Sequence, residues 1–381
     1  MSTKESLYGD NLELADIFAR YGAAYLQKYG DRMPTRHKRV MKKVLQCRTS
    51  ALGGQVYECE PCHQLAYAFH SCQDRHCPKC GGDHTTHWLV KQHELLVDVP
   101  YYLVTFTLPQ EFRRVVRSNQ KVMINLLFSA TAAALKKLAL DEKYIGGALG
   151  FMGVFHSWSR VYTFHPHMHY LVPGGALTID GKAWRYSQKK FLLPEGALAK
   201  IFRGKFRDAL KKSSPSLFAQ VPVSGWRKDK GWVVDVKPAG RGPEVLKYMA
   251  PYIFRVALSN KNLIEMKDGA VTFRYKESKS KKWRLMTLPA EEFIRRFLQH
   301  VLPRGLQKVR YYGWMSHRRK EILQKLKLLL GNVPCDERLK KAHMSRPFTC
   351  PKCGRSMQRI GVLSPFKDTE YRALRAPPSA A

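Results

Sequence analysis

Hydrophobic positions along the chain change their period several times, and each change predicts an element. Between residues 11 and 29, Leu14, Ile17, Phe18, Tyr21 and Tyr25 recur every three or four positions, the stripe of an amphipathic helix. Tyr101 to Leu108 is rich in β-branched and aromatic residues and stops at Pro109, which predicts a strand. Met123, Leu126, Leu127, Ala130, Ala134 and Leu138 then mark the apolar stripe of a long helix. Gly150 to Trp158 and His167 to Val172 read as two more strands, the second closed by Pro173-Gly174-Gly175, and Trp232 to Val236 reads as another. Helices are predicted over Glu195 to Lys212, around Glu244 to Leu258 and over Ala290 to His300, with short strands at Ala270 to Tyr275 and Trp283 to Thr287. From Ser316 the chain is basic and helical to about Leu330, and after Gly361 it thins into Pro, Ala and Ser. Strands and helices intermixed without a repeating β-α unit predict an α+β fold with a mainly antiparallel sheet.

Charge narrows the partner. The 381 residues carry 66 Lys and Arg against 30 Asp and Glu, a formal charge of +36. A compact chain with that charge repels itself unless a polyanion neutralises it, so nucleic acid is expected. The apolar share of 44% is that of a globular protein and excludes a disordered one. No lipidation signal, 18-residue apolar run or basic leader is read in the sequence, so no membrane partner, a cytoplasmic location and reduced cysteines are expected.

Six cysteines crowd between Cys47 and Cys80. Cys59-Glu-Pro-Cys62 and Cys77-Pro-Lys-Cys80 are two C-x-x-C knuckles separated by 14 residues, a spacing at which four thiolates can close on one structural zinc. Cys47, His63, His70, Cys72, His76 and His84 are further candidate ligands for a second ion, Cys72 foremost. Cys350-Pro-Lys-Cys353 resembles half of another zinc ribbon, which Cys335 and His343 could complete. Zinc with four protein ligands has no open position, so this module is a scaffold or a DNA-contacting element.

Phe164-His165-Pro166-His167-Met168-His169-Tyr170 is the sharpest chemical signal. A strand starting after Pro166 points His167 and His169 to one face and Met168, Tyr170 and Val172 to the other. Two imidazoles so placed are either half of a divalent-metal site or exposed surface residues. Downstream, Tyr248 and Tyr252 are four residues apart in a helical stripe with Leu246, Met249, Ile253, Val256 and Ala257. They are either packing residues or two phenols presented on one side. Pro251 between them kinks that helix or starts it.

Taken together in this order, the cysteine module with Ser71-Cys72 and Arg75-His76-Cys77-Pro78-Lys79-Cys80, then Pro166-His167-Met168-His169, Pro173-Gly174-Gly175, Tyr248 and Tyr252, resemble the HUH endonuclease superfamily. The likeness is to its two-tyrosine, rolling-circle insertion-sequence transposases, and continues through Phe293-Ile294-Arg295-Arg296-Phe297 and Tyr311-Tyr312-Gly313. It implies an HUH-type antiparallel sheet flanked by helices, and Mg²⁺ or Mn²⁺ held by His167, His169 and a third polar residue, for which Asp235 and Glu244 are candidates. It also implies attack by Tyr248 or Tyr252 on single-stranded DNA at element ends, giving a 5′-phosphotyrosine and a free 3′-hydroxyl. If only one tyrosine attacks, the two-strand mechanism runs with a second subunit, as in a homodimer, or in successive steps. The same chemistry in a replication or conjugation initiator, and a non-enzymatic zinc-dependent nucleic-acid binder, are the other readings. A P-loop of a fused helicase is absent from the sequence.

Arg36, Lys38, Arg39, Lys42 and Lys43 precede the cysteine module and suit phosphate contacts. Trp283 and Arg284, like Trp226-Arg227-Lys228 and Lys308 to Trp314, interleave rings and cations as single-stranded DNA requires. Composition places a helical, zinc-binding domain at 1–98, the catalytic domain at 99–315 and a basic tail with a candidate second zinc site at 316–381.

Overall fold

The computed structural model describes residues 12–81, 85–227, 231–242, 245–246, 259–277, 280–331, 333 and 348–366. Its strands are β1 (Gly54–Cys59), β2 (Gln64–Phe69), β3 (Pro100–Thr107), β4 (Phe151–Trp158), β5 (Phe164–Pro173), β6 (Gly175–Leu177) and β7 (Trp184–Tyr186). They continue with β8 (Val233–Arg241), β9 (Leu263–Lys267), β10 (Ala270–Lys276), β11 (Trp283–Pro289), β12 (Val309–Tyr312) and β13 (Gln358–Leu363). The fold is α+β with antiparallel pairing, as the sequence predicts.

The chain divides into two compact units built from discontinuous segments. The first takes Met1–His84, Leu258–Val301 and Lys341–Ala381, and the second Thr85–Ala257 and Leu302–Lys340. The sequence boundaries at 98 and 315 therefore differ from the boundaries of the compact units. Composition changes along the chain, whereas compactness depends on which distant segments pack together.

In the first unit the predicted N-terminal helix, Leu14–Tyr29, starts where the Asp16 carboxylate accepts the Glu13 N–H at 2.9 Å. It buries Leu14, Ile17, Phe18 and Tyr25. Phe18 meets the edge of Phe297 on the helix Ala290–Leu298, with ring centroids 5.6 Å apart. The basic stretch after it is a helix, Thr35–Gln46, whose Val40, Met41 and Val44 are buried while Lys38, Arg39 and Lys42 face outward. Two three-stranded sheets complete this unit, β11-β10-β9 and β13-β1-β2.

The second unit is organised by one five-stranded antiparallel sheet, β12-β4-β5-β3-β8. Alternation along its strands decides what each face buries. Tyr102, Val104 and Phe106 of β3, Phe155 of β4, and Met168, Tyr170 and Val172 of β5 pack with the helices Gln120–Ala139 and Glu195–Ser213. Phe106, Phe112, Phe202 and Phe206 are completely buried there, each contributing about 1.5–3 kcal/mol of transfer free energy. Gln120–Ala139 is long and apolar enough to cross a membrane, and most of it lies in this core. Gly153 of β4 pairs with Tyr170, and a Cβ built on it would lie 2.3 Å from the tyrosine ring, so only glycine lets that ring lie across β4. The opposite face carries Tyr101, Leu103, Met152, Val154 and Leu171, covered by Leu89, Leu96, Leu246, Trp314, Met315, Leu323 and Leu326.

Candidate metal centre and cysteine clusters

Three histidines stand at the end of that second face, where the apolar rows of the sheet stop. The register pairs Val154 with His169 and His156 with His167, so His156 of β4 joins the two histidines of β5. One ring nitrogen from each of the three lies within 4.8 Å of the others. Thr105 of β3 pairs with His169 and places its hydroxyl 3.0 Å from the His169 Nδ1. The His167 Nδ1–H donates to the His165 carbonyl at 2.6 Å, which fixes the tautomer and leaves Nε2 with its lone pair. Burial pulls His167 down to about 4 and, with His167 beside it, His169 well below its ordinary value. Both rings are thus neutral at pH 7, the form that ligates a cation.

The sequence expectation of a strand beginning after Pro166 is corrected. β5 begins at Phe164, and Pro166 sits at an irregularity opposite β4, between His156 and Trp158, and beyond the last β3 pair, Thr107 with His167. A residue without an N–H costs the ladder nothing at that place. His165 accordingly stays near the group, its ring 5.2 Å from that of His167 and its Nδ1 3.2 Å from the Arg113 guanidinium. His156 is the residue that sequence reasoning missed, because nothing in Gly150–Trp158 reveals which residue of β4 lies beside His167. Asp235 lies in the row of His169 and Thr105, but its carboxylate is held by Lys237 at 2.7 Å and it is not in the histidine group. Glu244, Tyr248 and Tyr252 lie outside the described residues.

The cysteines form two groups, where the sequence spacing predicts the two nearby knuckles around one ion. Cys47, Cys72, Cys77 and Cys80 make a fully buried set, with the Cys72 and Cys80 sulfurs 3.7 Å apart and the Cys72 N–H donating to the Cys47 sulfur at 3.5 Å. Cys59 and Cys62 stand instead with Cys350 and Cys353. The grouping of Cys59, Cys62, Cys77 and Cys80 around a single ion fails because β1 and β2 carry the first knuckle away as a hairpin, while the residues after β2 return to Cys47. Four sulfurs so close, one from each cysteine, suit a closed tetrahedral zinc site. His76 is a support: its Nδ1–H donates to Asp74 at 2.8 Å in the loop between Cys72 and Cys77. Cys335, His343 and His84 lie outside the described residues.

Arg36, expected on phosphate, is spent inside the protein, in an ion pair with the buried Asp74 at 2.8 Å. Lys43 donates to the Cys72 carbonyl at 3.4 Å, while Lys38, Arg39 and Lys42 are exposed. Trp283 is exposed at the start of β11 with the Arg274 guanidinium 5.1 Å from its ring centre, and Arg284 lies 3.8 Å from Glu277.

Comparison with known proteins finds two family models, one over the histidines and one over the first six cysteines. A family model described as "Putative transposase" (Y2_Tnp) matches residues 150–322, which include all three histidines. One described as "Transposase zinc-binding domain" (Zn_Tnp_IS91) matches residues 17–108. The chain is 39% identical over 340 residues to "Putative transposase y4qJ" of Sinorhizobium fredii, spanning 84% of this chain and 85% of that protein. It is 26% identical over 351 residues to "Transposase for insertion sequence element IS801" of Pseudomonas savastanoi pv. phaseolicola, spanning 84% and 83%. No solved structure matches it.

Proposed function

Since this chain belongs to the IS91-type family of insertion-sequence transposases, DNA-processing proteins with a zinc-binding domain, we propose that it nicks and rejoins single-stranded element ends through a 5′-phosphotyrosine. The observation that supports this reading is the convergence of His156, His167 and His169 on one sheet face. Leu246, two residues before Tyr248, lines a small cavity on that face with Met152 and Leu171.

His156, His167 and His169 would hold a divalent ion, and their three imidazoles suit Mn²⁺ better than Mg²⁺. Such an ion, when bound, supplies Lewis-acid withdrawal of charge from the scissile phosphate. The protein's own groups do the rest. The His165 carbonyl and Thr105 hydroxyl hold two of the rings in orientation, and burial keeps them unprotonated. Tyr248 or Tyr252 gives up its phenolic proton and attacks phosphorus. The bond from the phenolic oxygen to phosphorus forms, the bond from phosphorus to the 3′-oxygen breaks, and that oxygen takes a proton to leave as a 3′-hydroxyl. The new phosphodiester keeps the reactivity of the old one, so another 3′-hydroxyl reverses the step without ATP. Two tyrosines, or one in each subunit of a homodimer, allow two strands to be held.

Purified protein with labelled single-stranded element ends and Mn²⁺ should give a denaturant-resistant adduct. EDTA should abolish it, and so should the double change of Tyr248→Phe with Tyr252→Phe, while the two single changes name the nucleophile. DNA binding without an adduct on any end sequence would overturn the reading in favour of a non-enzymatic binder.

A further inference from the structure

The four sulfurs of Cys59, Cys62, Cys350 and Cys353 come from two knuckles 288 or more residues apart in sequence. Cys59 and Cys62 are 3.2 Å apart, and Cys353 lies 3.4 Å from each of them. Cys350 is 3.6 Å from Cys62. Tetrahedral zinc with sulfurs at about 2.3 Å requires them to lie about 3.8 Å from one another, whereas a disulfide would need about 2.05 Å. The spacing is therefore close to that of four ligands around one ion.

Both knuckles are turns closed on the carbonyl of their first cysteine, the second by one residue more than the first. The Cys62 N–H returns to the Cys59 carbonyl at 3.3 Å, and the Gly354 N–H to the Cys350 carbonyl at 2.8 Å. The residue after each second cysteine, His63 at φ 46° and Gly354 at φ 72°, lies in the left-handed region. A non-glycine residue takes that conformation at a cost, which is offset where a turn needs it to aim two sulfurs at one point. Each knuckle is then carried on a strand of one sheet. β1 ends at Cys59 and pairs with β13 from Gly54–Leu363 to Glu58–Gln358, while Thr349 bridges Ser356 across the second knuckle. Tyr57 and Phe348 stack at 4.6 Å beside the sulfurs, and Met357 is buried with Cys59 and Cys350.

We propose that Cys59, Cys62, Cys350 and Cys353 bind a zinc ion of their own, separate from the ion of the buried cluster, and that this second ion is a clasp fastening β13 to the β1–β2 hairpin. Thiolate-only, tetrahedral ligation suits zinc in a closed structural site. The matched zinc-binding region ends at residue 108, so half of this site lies outside it. The clasp is also the more accessible site: Cys353 is exposed and Cys62 half-buried, while all four cysteines of the other cluster are buried. Its ion should therefore leave first, and the strand should leave with it.

The test uses the full chain and reads zinc content and thiol reactivity, so it stands or falls independently of DNA cleavage. Wild type should carry two zinc ions per chain, and Cys350→Ser with Cys353→Ser should carry one. Because a serine variant can misfold, the second arm uses wild type: a graded zinc chelator, alkylation and mass mapping. Cys59, Cys62, Cys350 and Cys353 should become reactive together, before Cys47, Cys72, Cys77 and Cys80, and trypsin should then cut at Arg355 and Arg359. One zinc per chain, iron in place of zinc, two zincs retained in the double serine variant, or Cys59 and Cys62 reacting in step with Cys77 and Cys80 would each overturn the proposal.

Discussion

Removing the Asp74 carboxylate should cost the cysteine module more than any surface charge would. Its side chain is 2% exposed, and it receives the Arg36 guanidinium at 2.8 Å, the His76 Nδ1–H at 2.8 Å and the His76 backbone N–H at 3.1 Å. Its own carbonyl accepts the Cys77 N–H at 2.9 Å, so the residue lies directly behind a zinc-ligand position. Asp74→Ala leaves a largely buried cation without its counter-charge and two donors without an acceptor. Breaking such a pair costs about 3–5 kcal/mol, and Arg36, still 24% exposed, can turn outward, so about 3 kcal/mol is expected. Asp74→Asn keeps an acceptor and should cost about half as much. Zinc should leave the Cys47 cluster at a ten- to hundred-fold lower chelator concentration, roughly the effect of losing a residue that supports metal ligands, while the β1–β13 cysteines stay protected. Burial pushes the Asp74 carboxyl up, but the His76 hydrogen bond and charge, with Arg36, hold it well below the usual carboxylate range. The contribution is therefore whole above about pH 4 and is lost as pH falls further. Urea unfolding of the zinc-loaded protein, followed by circular dichroism, gives the stability change, and a cycle with Arg36→Ala gives the coupling. A change under about 1 kcal/mol with coupling under about 0.5 kcal/mol, the range of an exposed pair, would refute the reasoning.

Gly153→Ala should destabilise the second unit by about 1–3 kcal/mol, because its methyl meets the Tyr170 ring, and unchanged thermal unfolding would be the contrary result. Gly204→Ala, inside the helix Glu195–Ser213 with nothing within 4 Å of the added methyl, should instead stabilise by up to about 1 kcal/mol in the same assay. His167, held to about 4 by burial, has a folded pKa below its unfolded one, so the stability it contributes is whole above about pH 6.5 and is lost as pH falls toward 4. That loss is at most about 3 kcal/mol. An NMR titration of the metal-free protein in which the His167 ring protonates near pH 6.5 would contradict this. Lys38→Ala with Arg39→Ala should flatten the dependence of log affinity for single-stranded DNA on log salt by about 0.7 for each phosphate these side chains neutralise, and an unchanged slope would remove the two from the DNA surface.

Much of the sheet was legible because period-two patterns are local. The strands at 101–108, 150–158 and 270–275 follow from apolar and β-branched runs, and the His-Met-His parity follows from alternation alone. Pairing between strands is not local. His156 could be recognised only once β4 had a register against β5, and the true partners of Cys59 and Cys62 only once β13 had returned to β1. Pro166 misled for a related reason, since a proline ends a strand only where a neighbouring strand needs its missing N–H. Arg36 misled because a charge run looks the same whether or not one member has found a buried carboxylate.

The return of β13 to β1 also sets a timetable for synthesis. β1 and β2 leave the ribosome together as a hairpin, but the strand that covers the other edge of β1 begins about 290 residues after β2 ends. At roughly 5–20 residues per second that interval is about 15–60 s, during which the β1 edge has no native strand to pair with. Such an edge is a template for a strand from a neighbouring nascent chain, so polysomes crowded with this message are where misassembly should begin. Slower initiation, which spaces nascent chains apart, should raise the soluble yield more than slower elongation, which only lengthens the wait.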